Sequence, residues 1–78
     1  MTLQQLEYFV SAAHNLNFSK TAEMFFVSQS AITQQIRSLE KELKLDLFIR
    51  KNNRISLTDS GQVFMREAEQ ILAKVSDS

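Results

Sequence analysis

Cysteine and proline are missing from this 78-residue chain, and glycine and histidine occur once each, at Gly61 and His14. Without cysteine, neither a disulfide framework nor a thiolate metal site can support the fold. A single histidine, with no cysteine and no glycine-rich phosphate loop, leaves an enzyme little to work with. His14 reads instead as a partner for the C-terminal dipole of the helix it ends. No stretch approaches the roughly 20 apolar residues of a membrane span. The start "MTLQQLEYFV" has no basic segment ahead of a long apolar run. A soluble cytoplasmic domain without cofactor or metal is therefore expected, and its small size limits the core it can bury.

Formal charge is also lacking, since nine cations balance nine acids. The balance is uneven along the chain. From Ser28 to Thr58 there are Arg37, Lys41, Lys44, Arg50, Lys51 and Arg54 against Glu40, Glu42 and Asp46, or +6 − 3 = +3. The middle is basic and the two ends cancel it.

A chain almost free of helix breakers should be largely helical, and its apolar spacing agrees. Leu3, Leu6, Phe9, Val10 and Ala13 share one helical face, with Thr2 and Gln5 placed for a capping box. Asn15 and Asn17 end that helix. Ser19 is the expected cap of a second, "SKTAEMFF", which should bury Ala22, Phe25 and Phe26. Ser28 is the next cap, and Ile32, Ile36, Leu39 and Leu43 follow at steps of four, three and four. The short break between the second and third helices fits a helix-turn-helix, although a plain helical hairpin has the same spacing.

The period then changes. Ile55 and Leu57 alternate around Ser56, and Asn52 with Asn53 accept the positive φ of a tight hairpin. This reads as a two-stranded wing bearing Arg50, Lys51 and Arg54, or as a solvated loop. Thr58 caps a last helix about 28 Å long. Phe64, Ala68, Ile71, Leu72 and Val75 lie on one side of it. They form either a seam for a second copy or a face turned back onto the domain's own core. The fold class expected is mainly α with a small β-hairpin.

At 100° per residue, Ser30, Gln34, Arg37 and Lys41 line up opposite the aliphatic stripe of the third helix, with Gln29 and Thr33 on the flank. Amides suit adenine, arginine suits guanine, and hydroxyls or the Thr methyl adapt to either context. No carboxylate occurs from Ser28 to Leu39 to repel phosphate. Cations on the wing add sequence-independent attraction, and an Arg suits a narrow minor groove. A helix in the major groove beside such a wing is a winged helix-turn-helix arrangement. A protein-docking module is the rival, and Glu40, Glu42 and Asp46 read as a solvated face.

Four blocks carry a resemblance along the whole chain: "LQQLEYFV", "NFSKTAE", "VSQSAITQQIRSLEKEL" and "LFIRKNNRISLTDSG". The sequence resembles the N-terminal DNA-binding domain of LysR-type transcriptional regulators. The last block is the most specific, with Leu-Phe-x-Arg, a second Arg four residues on, and Leu-Thr-x-x-Gly. The resemblance implies a winged helix-turn-helix over 1–58, with the helix-turn-helix at 18–37 and the wing at 47–57. Residues 59–78 are then a dimerising linker helix. It implies a bacterial regulator of transcription that reads interrupted palindromes in double-stranded DNA as a dimer, tetrameric at full length. A small-molecule effector would act on a further domain not contained in these residues. By the same resemblance Gln29, Thr33 and Gln34 match base-contacting positions, Arg50 and Arg54 the wing arginines, and Ser19 with Lys20 a phosphate-contacting helix start. Two positions depart from the family pattern: Ser30 stands where Pro is usual, and Lys44 where Gly is usual.

Overall fold

A computed structural model describes residues 1–76, and the side chains of 1–75. Along the chain run α1 (Leu3–Asn15), α2 (Phe18–Phe25), α3 (Gln29–Leu43), β1 (Phe48–Lys51), β2 (Arg54–Leu57) and α4 (Asp59–Ser76). The first three helices pack together, the two strands make an antiparallel hairpin, and the long last helix packs back on α1 and completes the core. The expected class, mainly α with a small hairpin, is what the chain adopts. Residues 77 and 78, assigned above to the linker helix, lie outside the described residues.

Each helix start has a local chemical cause. Thr2 and Gln5 form the reciprocal capping box, each backbone N–H donating to the other's side chain at 3.0 Å. Ser28 Oγ accepts from Ala31 N, and Thr58 Oγ1 accepts from Gly61 N. The start of α2 differs from expectation. Its cap is Asn17, whose carboxamide oxygen accepts from Lys20 N at 2.9 Å. Ser19 therefore sits inside the first turn, with its hydroxyl released for other work.

Helix ends show what the shortage of glycine costs. Leu16, Phe26 and Lys44 close α1, α2 and α3 in the left-handed conformation, with φ of 50°, 58° and 57°. A side chain in that region is disfavoured by roughly 1–2 kcal/mol. Left-handed geometry also overturns one expected core residue. Phe26 leaves the helix pointing outward and is 95% exposed, whereas Phe25 stays half-buried with its ring edge on Tyr8.

Phe9 is fully buried at the centre, with the rings of Phe48 and Phe64 5.6 and 5.3 Å away. Ile32, Ile36 and Leu39 of α3 are buried as their spacing requires, and Leu43 is partly buried at the stripe's end. The core reaches the hairpin through Leu47 and Phe48. Glu40, expected on a solvated face, instead accepts from the backbone N–H groups of Leu47 and Phe48 at 2.7 and 3.3 Å. That carboxylate ties the end of α3 to the first residue of the wing. Glu42 holds the Met1 ammonium at 2.6 Å.

On α4 the five apolar residues divide. Phe64 and Ala68 are buried in the domain's own core, and Leu72 is partly buried against it. Phe64 and Ala68 are therefore covered already, and Leu72 in part. Ile71 and Val75 remain 38% and 47% exposed. At 100° per residue both lie within about 20° of Phe64. The face is continuous, and the domain stops before the helix does.

Candidate nucleic-acid interface

The hairpin pairs Phe48 with Leu57, Ile49 with Ser56, Arg50 with Ile55 and Lys51 with Arg54. Asn52 and Asn53 form the two-residue turn, both at positive φ (53° and 60°). This is the geometry in which asparagine replaces glycine at least cost. Alternation along β1 puts Arg50 on the same face as the buried Phe48, and Lys51 on the opposite face. Lys51 and Arg54 are direct cross-strand neighbours. Like charges so placed destabilise a hairpin, so a polyanion outside the chain would relieve the repulsion. The sequence lists both cations, but only the register makes them opposite.

Helix α3 presents the polar line its spacing predicts. Gln29, Ser30, Gln34, Arg37 and Lys41 are exposed, Thr33 is half-buried, and the aliphatic stripe faces the core. Ser30, in the first turn where Pro is usual in the resembled family, has its hydroxyl 3.1 Å from that of Ser28. The starts of α2 and α3 meet through Ser19 Oγ, which donates to Gln29 Oε1 at 2.7 Å. Between these starts and the wing runs a groove of about 550 Å³. Ser19, Gln29, Arg50, Lys51 and Arg54 line it, with Phe18 at its base. Of the residues expected to bind, these five converge on one surface. Lys20 is exposed in the same first turn of α2. Gln34 and Arg37 continue outward along α3.

Sequence reasoning gave no role to Phe18. It is buried, meets Phe48 edge-on at 5.3 Å and 87°, and carries the Arg50 guanidinium 5.0 Å above its ring. The signal was present in period-two alternation, which places Arg50 above Phe48, but the partner ring comes from another element. His14 does not line this groove; its Nε2 lies 3.8 Å from Glu69 Oε1. Among the described residues no group of metal-ligating side chains could hold an ion. No helix there is long and apolar enough to cross a membrane.

Comparison with known proteins bears directly on this surface. The profile described as "Bacterial regulatory helix-turn-helix protein, lysR family" matches residues 3–62. The chain belongs to the lysR family. Within that family the match falls on the helix-turn-helix region, and the fold is that of the family's winged-helix DNA-binding domains. A relative named a probable RuBisCO transcriptional regulator, from Phaeodactylum tricornutum, is 44% identical over 77 residues, covering 99% of this chain and 25% of the relative. The chain thus spans about a quarter of the length of the curated relatives it matches. The crystal structure of a CbnR DNA-binding domain in complex with DNA superposes with a TM-score of 0.94 at 35% identity, covering 99% of this chain and 88% of that one. A BenM DNA-binding domain in complex with catB site 1 DNA gives 0.94 at 31% identity, with 99% and 86% covered. For this lysR-family domain the hairpin is the wing of the fold and α3 is the second helix of the helix-turn-helix.

Proposed function

We propose that this lysR-family domain binds double-stranded DNA sequence-specifically, with α3 in the major groove and the wing on the backbone or the adjacent minor groove. The observation that carries the reading is the α3 face itself. Gln29, Ser30, Gln34 and Arg37 are exposed on a helix with no carboxylate before Glu40, while the opposite stripe is buried. Thr33 flanks that face. Such residues make hydrogen bonds to base edges, and nothing among them repels phosphate. Ser19, Lys20, Arg50, Lys51 and Arg54 are the backbone or minor-groove contacts. The solved CbnR and BenM domains of the same fold were crystallised with DNA, which supports the assignment.

The domain organisation follows from this: residues 1–58 read DNA, and α4 carries the dimer, through Ile71 and Val75 rather than through the buried Phe64 and Ala68. Two such domains would read an interrupted palindrome, in a bacterial cytoplasmic regulator whose effector acts on a further domain. The deciding experiment is titration of a palindromic duplex over a salt series. Log affinity should fall by roughly 0.9 units per phosphate contact for each decade of salt. Absence of duplex binding at low salt, together with capture of a protein partner, would assign the surface to protein docking.

Two substitutions separate the contact types. Gln34→Ala should cost roughly 1–3 kcal/mol at its cognate base step and relax the preference there. An equal loss on all sequences would make Gln34 a backbone contact. Arg54→Ala should weaken every sequence alike and lower the salt slope by about one. If competition between duplexes showed an unchanged slope, the tip of the wing would lie outside the interface.

A further inference from the structure

We infer that Phe18 is a positioning residue for the wing: its ring is the shelf on which Arg50 is held in DNA-binding orientation. The inference rests on the DNA-binding reading above and adds to it a difference between the two wing arginines. The chain of causes begins with register. Because β1 alternates, Arg50 shares a face with Phe48 and sits opposite Ile55, so its stem runs inward over the hairpin toward α2. Phe48 is buried and meets Phe18 edge-on, with centroids 5.3 Å apart and planes at 87°. That T-shaped packing fixes the Phe18 plane. One face of the fixed ring then meets the guanidinium at 5.0 Å, within the range of a cation–π contact.

Arg54 has no such seat. It lies across from Lys51 at the tip of the hairpin, with no ring or acid partner among the described residues. One arginine is therefore held in place before DNA arrives, and the other is ordered only by the contact. An arginine side chain is rich in rotamer entropy, and a stacked guanidinium has lost part of it in advance. A carboxylate partner would hold Arg50 equally well but would neutralise it. A ring leaves the positive charge and all five N–H donors available to phosphate. Phe18 also opens α2 beside Ser19, so the same residue couples the wing to the helix-turn-helix across the groove.

Phe18→Leu keeps apolar volume against Phe48 and removes the ring face. Loss of an exposed cation–π contact should weaken duplex binding about two- to fivefold. The same substitution placed on Arg50→Ala should cause no measurable further loss, whereas on Arg54→Ala the full two- to fivefold loss should remain. Phe18→Tyr should restore wild-type affinity. A loss of equal size in all three backgrounds would overturn the inference, because it would show Phe18 acting only through general stability. Should Phe18→Leu not fold, Phe18→Met fills the same volume and replaces it in the cycle. A second arm needs no DNA. In NMR spectra of the free wild-type domain, the Arg50 side-chain protons should be shifted upfield by the ring current relative to those of Arg54, and Phe18→Tyr should retain the shift. Coincident Arg50 and Arg54 shifts would overturn the positioning role. If the wild type bound no duplex while that upfield shift was present, the DNA reading alone would fall.

Discussion

Gly61→Ala is expected to destabilise the domain by about 3 kcal/mol or more, even though alanine is the better helix former. Inside a helix the exchange normally gains up to about 1 kcal/mol, so the sign alone is diagnostic. The reason is contact. Gly61 is buried in the first turn of α4, and a Cβ there would stand 2.2 Å from the carbonyl oxygen of Leu47 and 3.0 Å from Leu57 Cδ2. The first neighbour is backbone and cannot swing aside. Its oxygen accepts the Thr58 N–H at 3.1 Å, and Leu47 itself is fully buried. The N–H groups of Leu47 and Phe48 are held in turn by Glu40. Room for a methyl group therefore requires α4 to lift off the base of the wing. A domain of this size has roughly 4–12 kcal/mol of stability in total. The urea midpoint should fall accordingly, and a midpoint equal to wild type would show that α4 can slide away from Leu47 without loss.

The second large effect concerns assembly and rests on the proposed dimer. Ile71→Asp should give monomers in sedimentation velocity and should weaken binding to a full palindrome by about 10²- to 10⁴-fold. Binding to an isolated half-site should stay unchanged. Joining two readers converts the second binding event into an intramolecular one, and this advantage disappears with the dimer. Ile71 suits the test because it is more than one-third exposed and is not among the residues buried in the core. An aspartate there disturbs no buried neighbour, so the helical circular dichroism should be retained. Phe64→Asp would be uninformative, since it unfolds the monomer through Phe9. A dimer that survived Ile71→Asp would move the association surface elsewhere.

Much of the fold is legible in the sequence because local rules and tertiary packing agree. The capping box of Thr2 and Gln5, the caps at Ser28 and Thr58, the stripe of Ile32, Ile36 and Leu39, and the Asn52–Asn53 turn all stand where spacing put them. Misplacements have two physical sources. Near Ser19, two cap-forming residues lie two positions apart, and only Asn17 has extended backbone geometry while Ser19 is helical. Propensity ranks the two alike and cannot choose. At Phe26, hydrophobicity predicts burial, but the helix must end there, and no glycine is present to end it.

The α4 face shows a different limit. Periodicity identifies Phe64, Ala68, Ile71, Leu72 and Val75 as one side of the helix, yet it does not say where along that side the domain stops. The interface was partly legible in the same sense. Exposure of Gln29, Ser30, Gln34 and Arg37 follows from their place opposite the stripe. Convergence of Ser19 with Gln29, and of Arg50 with Phe18, depends on which elements meet.

The exposed line on α3 has one more consequence. Gln34 and Arg37 make no side-chain hydrogen bond or ion pair among the described residues, and neither contributes to the core. Their identities are therefore nearly free of folding constraint. Surface exchanges of this kind usually change stability by less than about 0.5 kcal/mol. If α3 reads base edges as proposed, a gene duplicate could acquire a different operator by altering these positions one at a time, with every intermediate still folded. On the proposed DNA reading, specificity and architecture are written in separate residues of the same fifteen-residue helix, and selection can revise the first while leaving the second intact.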